Sequence, residues 1–427
     1  MPVFVGAGTS SFLKGDGGVG FSKLTTSQRD ALSGVAQGQV IFNTSTGVLE
    51  FYDGSGWFKV SSVLAVLNSV SGNIIDGLGS DLTLSGTGFL SSGLVVNFTQ
   101  ATDGINVNVT VTPSSDTAAT VSVPASVYNS VTAGRVVTIT VTNSDGSTSS
   151  GVNKTAVGLP TGGSIQTYSG YRSHKFTSSG TFTATSFISQ VDALLVAGGG
   201  GGGADNSGGG GAGGMLVQTG VSVSAQNYSI SIGGGGTGAY ESSGDGGPYA
   251  TNGSNTSAFG YSVTGGGRGG SAGGANANSG GSGGGGSGEN ANGTGGSGTS
   301  GQGNSGGNHS SGGGGGGGGK GATGQNGNVR GSNQGGLGGA GSQNNYETGS
   351  NQYYAAGGNG GNENGDYDTA PAVNGIGGRT NPNNSSRGQN GVDGTGAGGG
   401  ACTHESSADS PAGGDGGDGV VIIRYAI

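Results

Sequence analysis

Apolar and polar residues alternate in the first part of the chain and give way to glycine in the second. Residues 63–157 contain Leu82-Thr83-Leu84-Ser85, Leu94-Val95-Val96-Asn97-Phe98 and Val136-Val137-Thr138-Ile139-Thr140-Val141. A period near two buries one face and leaves the other wet, so this stretch predicts a β-sandwich. Upstream, Gln39-Val40-Ile41-Phe42-Asn43 and Val48-Leu49-Glu50-Phe51-Tyr52 flank Thr44-Ser45-Thr46-Gly47, a hairpin signal, and Trp57-Phe58-Lys59-Val60 adds a strand after the Asp53-Gly54 turn. Leu24 to Leu32 predicts a short helix with Thr25 or Thr26 as N-cap and Gly34 as its stop. Past residue 196 the strand signal survives only in pieces, such as Met215-Leu216-Val217, Tyr228-Ser229-Ile230-Ser231-Ile232 and Val420-Val421-Ile422-Ile423.

Composition shows why. Of 109 glycines, 26 precede position 197 and 83 follow it, in a chain of 427 residues that is only 30% hydrophobic and 9% charged. One ordinary hydrophobic core is excluded. Formal net charge is −9, and Arg172 with Lys175 is the nearest approach to a basic cluster. Duplex nucleic acid and anionic membranes both demand clustered Lys and Arg, so neither is an expected partner. With Cys402 as the sole cysteine there is no internal disulfide. No apolar run reaches membrane length, and Met1-Pro2-Val3-Phe4-Val5-Gly6 lacks the basic, apolar start of a signal peptide. An export signal is therefore not expected.

Three stretches carry family resemblances. LTTSQRDALSGVAQGQVIFNTSTGVLEFYDGSGWFKV, about forty residues, resembles a small module of phage tail-fibre and other virion proteins. The order DLTLSGTGF, Val123-Pro124-Ala125 and VTNSDG resembles the immunoglobulin-like IPT/TIG domain, which implies a spacer or interaction module. From Tyr171, YRSHKFTSSGTFTATSFISQVDALLVAGGGGGG, then SNTSAFGYSVTGGGRGG, then the closing GVVIIRY resemble the glycine-rich terminal domain of phage tail fibres and adhesins. That last resemblance implies bundled polyglycine II helices joined by receptor-binding loops.

Physical chemistry supports an ordered bundle. Glycine loses the most conformational entropy on folding, so such a segment would ordinarily stay a flexible linker. Collagen fails, since it needs glycine at every third position with abundant proline, and only Pro248, Pro371, Pro382 and Pro411 lie in this half. Polyglycine II survives: without side chains, threefold helices approach closely enough for each N–H to meet a neighbour's carbonyl. Gly312 to Gly319 would span about 25 Å at the ~3.1 Å rise of such a helix.

Sites of chemistry are sparse. Gly413-Gly414-Asp415-Gly416-Gly417-Asp418-Gly419-Val420-Val421 fits the calcium-binding nonapeptide pattern once, and without tandem copies it reads as a glycine turn. Cys402, His404, His309 and His174 share no zinc spacing. Gly265, Gly267 and Gly270 match a phosphate-loop spacing but no helix follows. Glu363, Asp366 and Asp368 lie together, yet in a polar stretch unlike the apolar setting of a glycosidase acid. Catalytic residues, metal ligands and cofactors are therefore expected to be none. Glycine runs carry nothing with which to discriminate a ligand, so recognition is expected between them, chiefly in residues 343–374: Tyr346, Asn351, Gln352, Tyr353, Tyr354, Glu363 and Tyr367, the alternative being that some of these tyrosines lid the ends of the glycine bundle. Tyr240 and Tyr249 lie in an earlier window.

The expected architecture is mainly β: a virion-attachment module (1–62), an IPT/TIG-like sandwich (63–158), a linker (159–170) and a glycine-rich adhesin-like domain (171–427). The expected role is a non-enzymatic phage virion-surface protein, a tail fibre or adhesin binding a host surface protein or polysaccharide. Its first module would bind other virion proteins or form a homotrimer, as fibres commonly do. The rival roles are a structural capsid or baseplate part and, less compatible with the irregular loops, ice binding.

Overall fold

The computed structural model describes residues 21–59, 64–240, 249–271, 276–287, 293–310, 312–329, 334–362, 373–380, 387–403 and 412–427. Apart from short helices, its regular elements are strands, so the fold is mainly β as the alternation predicts. It divides into two units at Gly158/Leu159.

In the first unit, Thr26–Asp30 is a helical turn begun by a capping box, with Thr25 and Gln28 exchanging side-chain and backbone hydrogen bonds. Ser22–Leu24 pairs parallel to Val40–Asn43, which pairs with Val48–Tyr52 and then Trp57–Lys59. Glu50 is buried and tied to Arg29 at 2.7 Å and Asn43 at 3.0 Å, so its charge is paired. The sandwich has a sheet of Val66–Ser71, Asp81–Thr87 and Ala118–Ser122 against one of Val152–Thr155, Val136–Asn143, Leu94–Gln100 and Ile105–Val111. Leu82, Leu84, Val96, Phe98, Val137, Ile139 and Val141 all enter one core, the faces that a period of two assigns to it.

The second unit starts earlier than expected. Residues 159–170 are no linker, because Ser164–Tyr168 pairs along its length with Tyr171–Phe176 and His174 holds the Gly162 carbonyl at 2.7 Å. The glycines that read as flexibility serve a tight turn: Gly162 and Gly163 have φ of +110° and +64°, and any Cβ there would press on backbone carbonyls beneath Phe176. The sheet runs Ser164–Tyr168, Tyr171–Phe176, Val420–Ala426, Gln190–Val196, Met215–Ser222. Alternate residues serve two cores. Phe176, Ala193, Leu195, Val421 and Ile423 face one, with Phe182; Leu194, Val196, Met215, Val420 and Ile422 face the other.

Three strands of this sheet continue directly into glycine runs, at 198–203, 208–214 and 413–419. There the hydrogen-bond register has a period of three. In run 198–203, Gly198 and Gly201 donate to Ser254 and Thr251, Gly199 and Gly202 to Gly417 and Gly414, and Gly200 and Gly203 to Gly211 and Gly208. Its carbonyls accept from Gly266 and Gly269, Gly236 and Ala239, and Gly399 and Cys402. Each residue in a turn thus addresses a different neighbour, six in all, which is the hexagonal arrangement of polyglycine II. All of residues 198–203 are buried, and a Cβ on any of them would collide with a neighbouring backbone carbonyl. In the outer runs burial recurs at every third residue, at 233, 236, 293, 296, 324, 327, 388 and 391, with exposed or half-buried residues between them. A Cβ on exposed Gly234 would meet no backbone, whereas one on half-buried Gly235, Gly238 or Gly295 would still collide with a neighbouring carbonyl.

Candidate functional site

The register also fixes the direction of each run. Partners of 198–203 at 233–239, 264–270 and 397–402 advance with it and are parallel, whereas 208–214, 251–254 and 413–419 count backwards and are antiparallel. The parallel runs therefore finish beside Gly203 and the antiparallel ones begin there. Continuing outward, 282–286 and 358–361 oppose 208–214, so they too finish at that end; 315–318 lies parallel to 208–214, so it begins there. The opposite end holds the five-stranded sheet. Consequently the connections after Gly203, Ala239, Gly270, Gly286, Asn328, Thr380 and Cys402 all leave the bundle at the end remote from the sheet.

At the middle of this far end the turn 204–207 is closed and buried, with the Asp205 N–H donating to the Cys402 Sγ at 2.9 Å and Gly361 donating to the Ser207 carbonyl at 2.8 Å. Cys402 is thus packed among Ala204, Ala239 and Ala250. The flanks carry the exposed chemistry: Tyr240 and Tyr249, 48% and 44% exposed, Arg268 over the Tyr249 ring, and Arg387 paired with Asp415 at 2.8 Å.

Polar side chains at three-residue spacing take up lattice N–H groups in place of a neighbouring carbonyl. Asp415 and Asp418 Oδ1 accept the Gly238 and Gly235 N–H groups at 2.8 Å, and Asn252 and Asn255 do the same for Arg268 and Gly265 at 2.9 Å. Asn359 and Asn362 serve Gly338 and Gly335. The i, i+3 spacing of Asn and Asp was readable in the sequence, and only the threefold register gives it meaning. The carboxylates that resembled a calcium site are occupied with main-chain amides. Among the described residues no cluster of three or more His, Cys, Asp or Glu could hold a metal ion, and no helix is long and apolar enough to cross a membrane. Gly266, Gly267, Gly269 and Gly270, within the phosphate-loop-like spacing, all spend their N–H groups on neighbouring runs.

The first part of the window expected to bind a receptor, residues 343–354, lies at the other end. Ser342–Asn344 and Gln352–Tyr354 form a hairpin at the sheet end of the bundle. Tyr346 and Tyr354, 6% and 2% exposed, belong to the core with Leu194, Val196, Met215 and Ile422. The Arg424 guanidinium lies 3.9 Å from the Tyr346 ring centroid, and Tyr354 donates to Glu347 at 3.0 Å, its phenol pushed up by burial. Burial removes both from surface contact. Asn351 and Tyr353 are exposed and Gln352 half-buried, while Glu363 and Tyr367, with Asp366, Asp368 and His404, lie outside the described residues.

No curated protein is significantly similar to the chain. The profile of the glycine-rich domain family matches residues 175–426, more than half of the sequence and nearly all of the second unit. The chain belongs to this glycine-rich domain family.

Proposed function

We propose that the protein is a non-enzymatic adhesin on the surface of a bacteriophage particle, a tail fibre or its tip, that contacts the host through the far end of the glycine bundle. The observation that carries this reading is the gathering of so many chain connections at one end of a rigid lattice whose other end is fused to a sheet. A lattice held by main-chain hydrogen bonds keeps its shape whatever the connections contain, so loops there vary freely without cost to the scaffold. Exposed Tyr and amide side chains are suited to adaptable contact. The first unit, with its resemblance to a virion module and an IPT/TIG-like spacer, is assigned to attachment to other virion proteins. Residues 343–354 are reassigned from recognition to bracing the bundle on its sheet.

Adsorption of purified full-length chain to host cells tests the reading, with 241–248 or 404–411 replaced by Gly-Ser segments. Adsorption should fall at least tenfold while melting is unchanged. Undiminished adsorption by both variants, together with a C-terminal label found against the shell or tail rather than at a fibre tip, would favour a structural role.

A further inference from the structure

One flank of the far end holds an aromatic ring and a cation that the lattice leaves unused. The Tyr249 ring is 44% exposed and carries the Arg268 guanidinium 5.5 Å from its centroid. The main-chain N–H of Arg268 donates to Asn252 Oδ1 at 2.9 Å, and the same oxygen accepts from Asn278 Nδ2 at 3.2 Å. Among the described residues the Arg268 guanidinium has no carboxylate partner, whereas Arg387, Arg424 and Lys175 are paired with Asp415, Asp192 and Glu347. One cation, one aromatic ring that is 44% exposed and two amides therefore lie together on this flank.

We propose that Tyr249, Arg268, Asn252 and Asn278 form a binding site for an acidic sugar residue of a surface polysaccharide. This rests on the adhesin reading and adds the ligand class. A sugar carboxylate matches the guanidinium fork, which binds carboxylates in bidentate fashion. The C–H face of the pyranose covers the Tyr249 ring, and Asn252 and Asn278 offer both donors and acceptors to hydroxyl groups. A neutral sugar leaves the guanidinium unused, and nucleic acid needs several cations where this flank supplies one. The chain's net charge of −9 opposes an anionic ligand only over short range, since charges beyond about 8 Å are screened at physiological salt. A flat, partly exposed ring beside a guanidinium also suits a sugar ring better than a peptide side chain, which needs a pocket.

Full-length protein is titrated by ligand-observed NMR with tri-galacturonate and sialyllactose, against galactotriose and lactose as neutral comparators and tri-glutamate as an acidic peptide. At least one acidic glycan should bind ten times more tightly than its comparator, weaken with added salt, and lose at least tenfold in R268Q and in Tyr249→Ala. Both variants should keep the wild-type melting temperature, because neither side chain is part of the lattice. Failure of both acidic glycans, equal binding by wild type and R268Q, or tri-glutamate binding as tight as the glycans overturns the site. Cell adsorption measured in parallel separates the two ideas. Adsorption without acidic-glycan binding sinks this site and spares the adhesin reading, and glycan binding without adsorption does the opposite.

Discussion

Replacing Gly315 by alanine adds one methyl group to a chain of 427 residues, and the lattice makes that change severe. Gly315 donates to the Gly286 carbonyl at 2.9 Å and accepts from Gly209 at 3.0 Å. A Cβ here would be driven into the backbone carbonyl of Gly307, far inside the ~3.5 Å of ordinary contact. No rotamer relieves a clash between main chains, so the run through Gly307 must retreat by more than about 1 Å. Its bonds Gly307 N–H to Gly316 and Asn304 N–H to Gly319, now 2.8 and 3.2 Å, would then stretch past hydrogen-bonding distance. Overpacking costs about 1–3 kcal/mol, and each buried amide and carbonyl left unpaired costs about as much. Stiffening of the unfolded chain returns only about 0.4–1 kcal/mol. A net loss of about 3–5 kcal/mol corresponds to roughly 10 °C in the melting of the second unit. Calorimetry reads that transition, and Trp57, the sole tryptophan, reports the first unit as an internal reference that should not move. Gly180→Ala is the control, because there a Cβ meets only Phe176 at 3.6 Å and stability should be equal or slightly higher. A Gly315→Ala protein melting within a degree of wild type would refute the reasoning.

The remaining predictions use the same scaffold. His174 is buried with Nδ1 on the Gly162 carbonyl and Nε2 on the Tyr425 hydroxyl, and burial lowers its pKa below 6.5 despite the carbonyl's opposing effect. The unfolded chain then binds more protons below that value, so stability should be flat above about pH 6.5 and fall as pH drops towards 5; urea midpoints should show a shallower slope in His174→Phe. Chelation should leave melting unchanged; Asp415→Asn with Asp418→Asn should cost little, and the paired Ala variants about 1–3 kcal/mol, since only an acceptor is required. A calcium-dependent rise of several degrees would contradict that. Tyr354→Ser should cost about 3–5 kcal/mol and Tyr353→Ser under about 1 kcal/mol, a difference that chemical denaturation reads directly.

The sandwich and the first hairpins were legible because period-two alternation is a local consequence of which face is buried, as Leu82, Leu84, Ile139 and Val141 show. The glycine bundle was legible as a material but not as a topology. A run such as 198–203 has no side chains to encode which six neighbours it meets, and the pairing emerges only from register. Tyr346 and Tyr354 misled for a related reason: polar neighbours and distance from long glycine runs look like a surface loop, yet the hairpin folds back onto Leu194, Val196 and Ile422. The Gly162-Gly163 pair misled in the same way, since a tight turn and a linker share a composition.

The central claim is that main-chain hydrogen bonds let glycine itself serve as a core, and amide hydrogen exchange of Gly199 to Gly203 measures this most directly. Every N–H there is bonded at 2.8–3.0 Å within buried surroundings, so exchange should require opening of the whole second unit and be slowed as much as in the strand Gln190–Val196. Protection near that of an unstructured glycine peptide, while Gln190–Val196 stayed protected, would contradict the account.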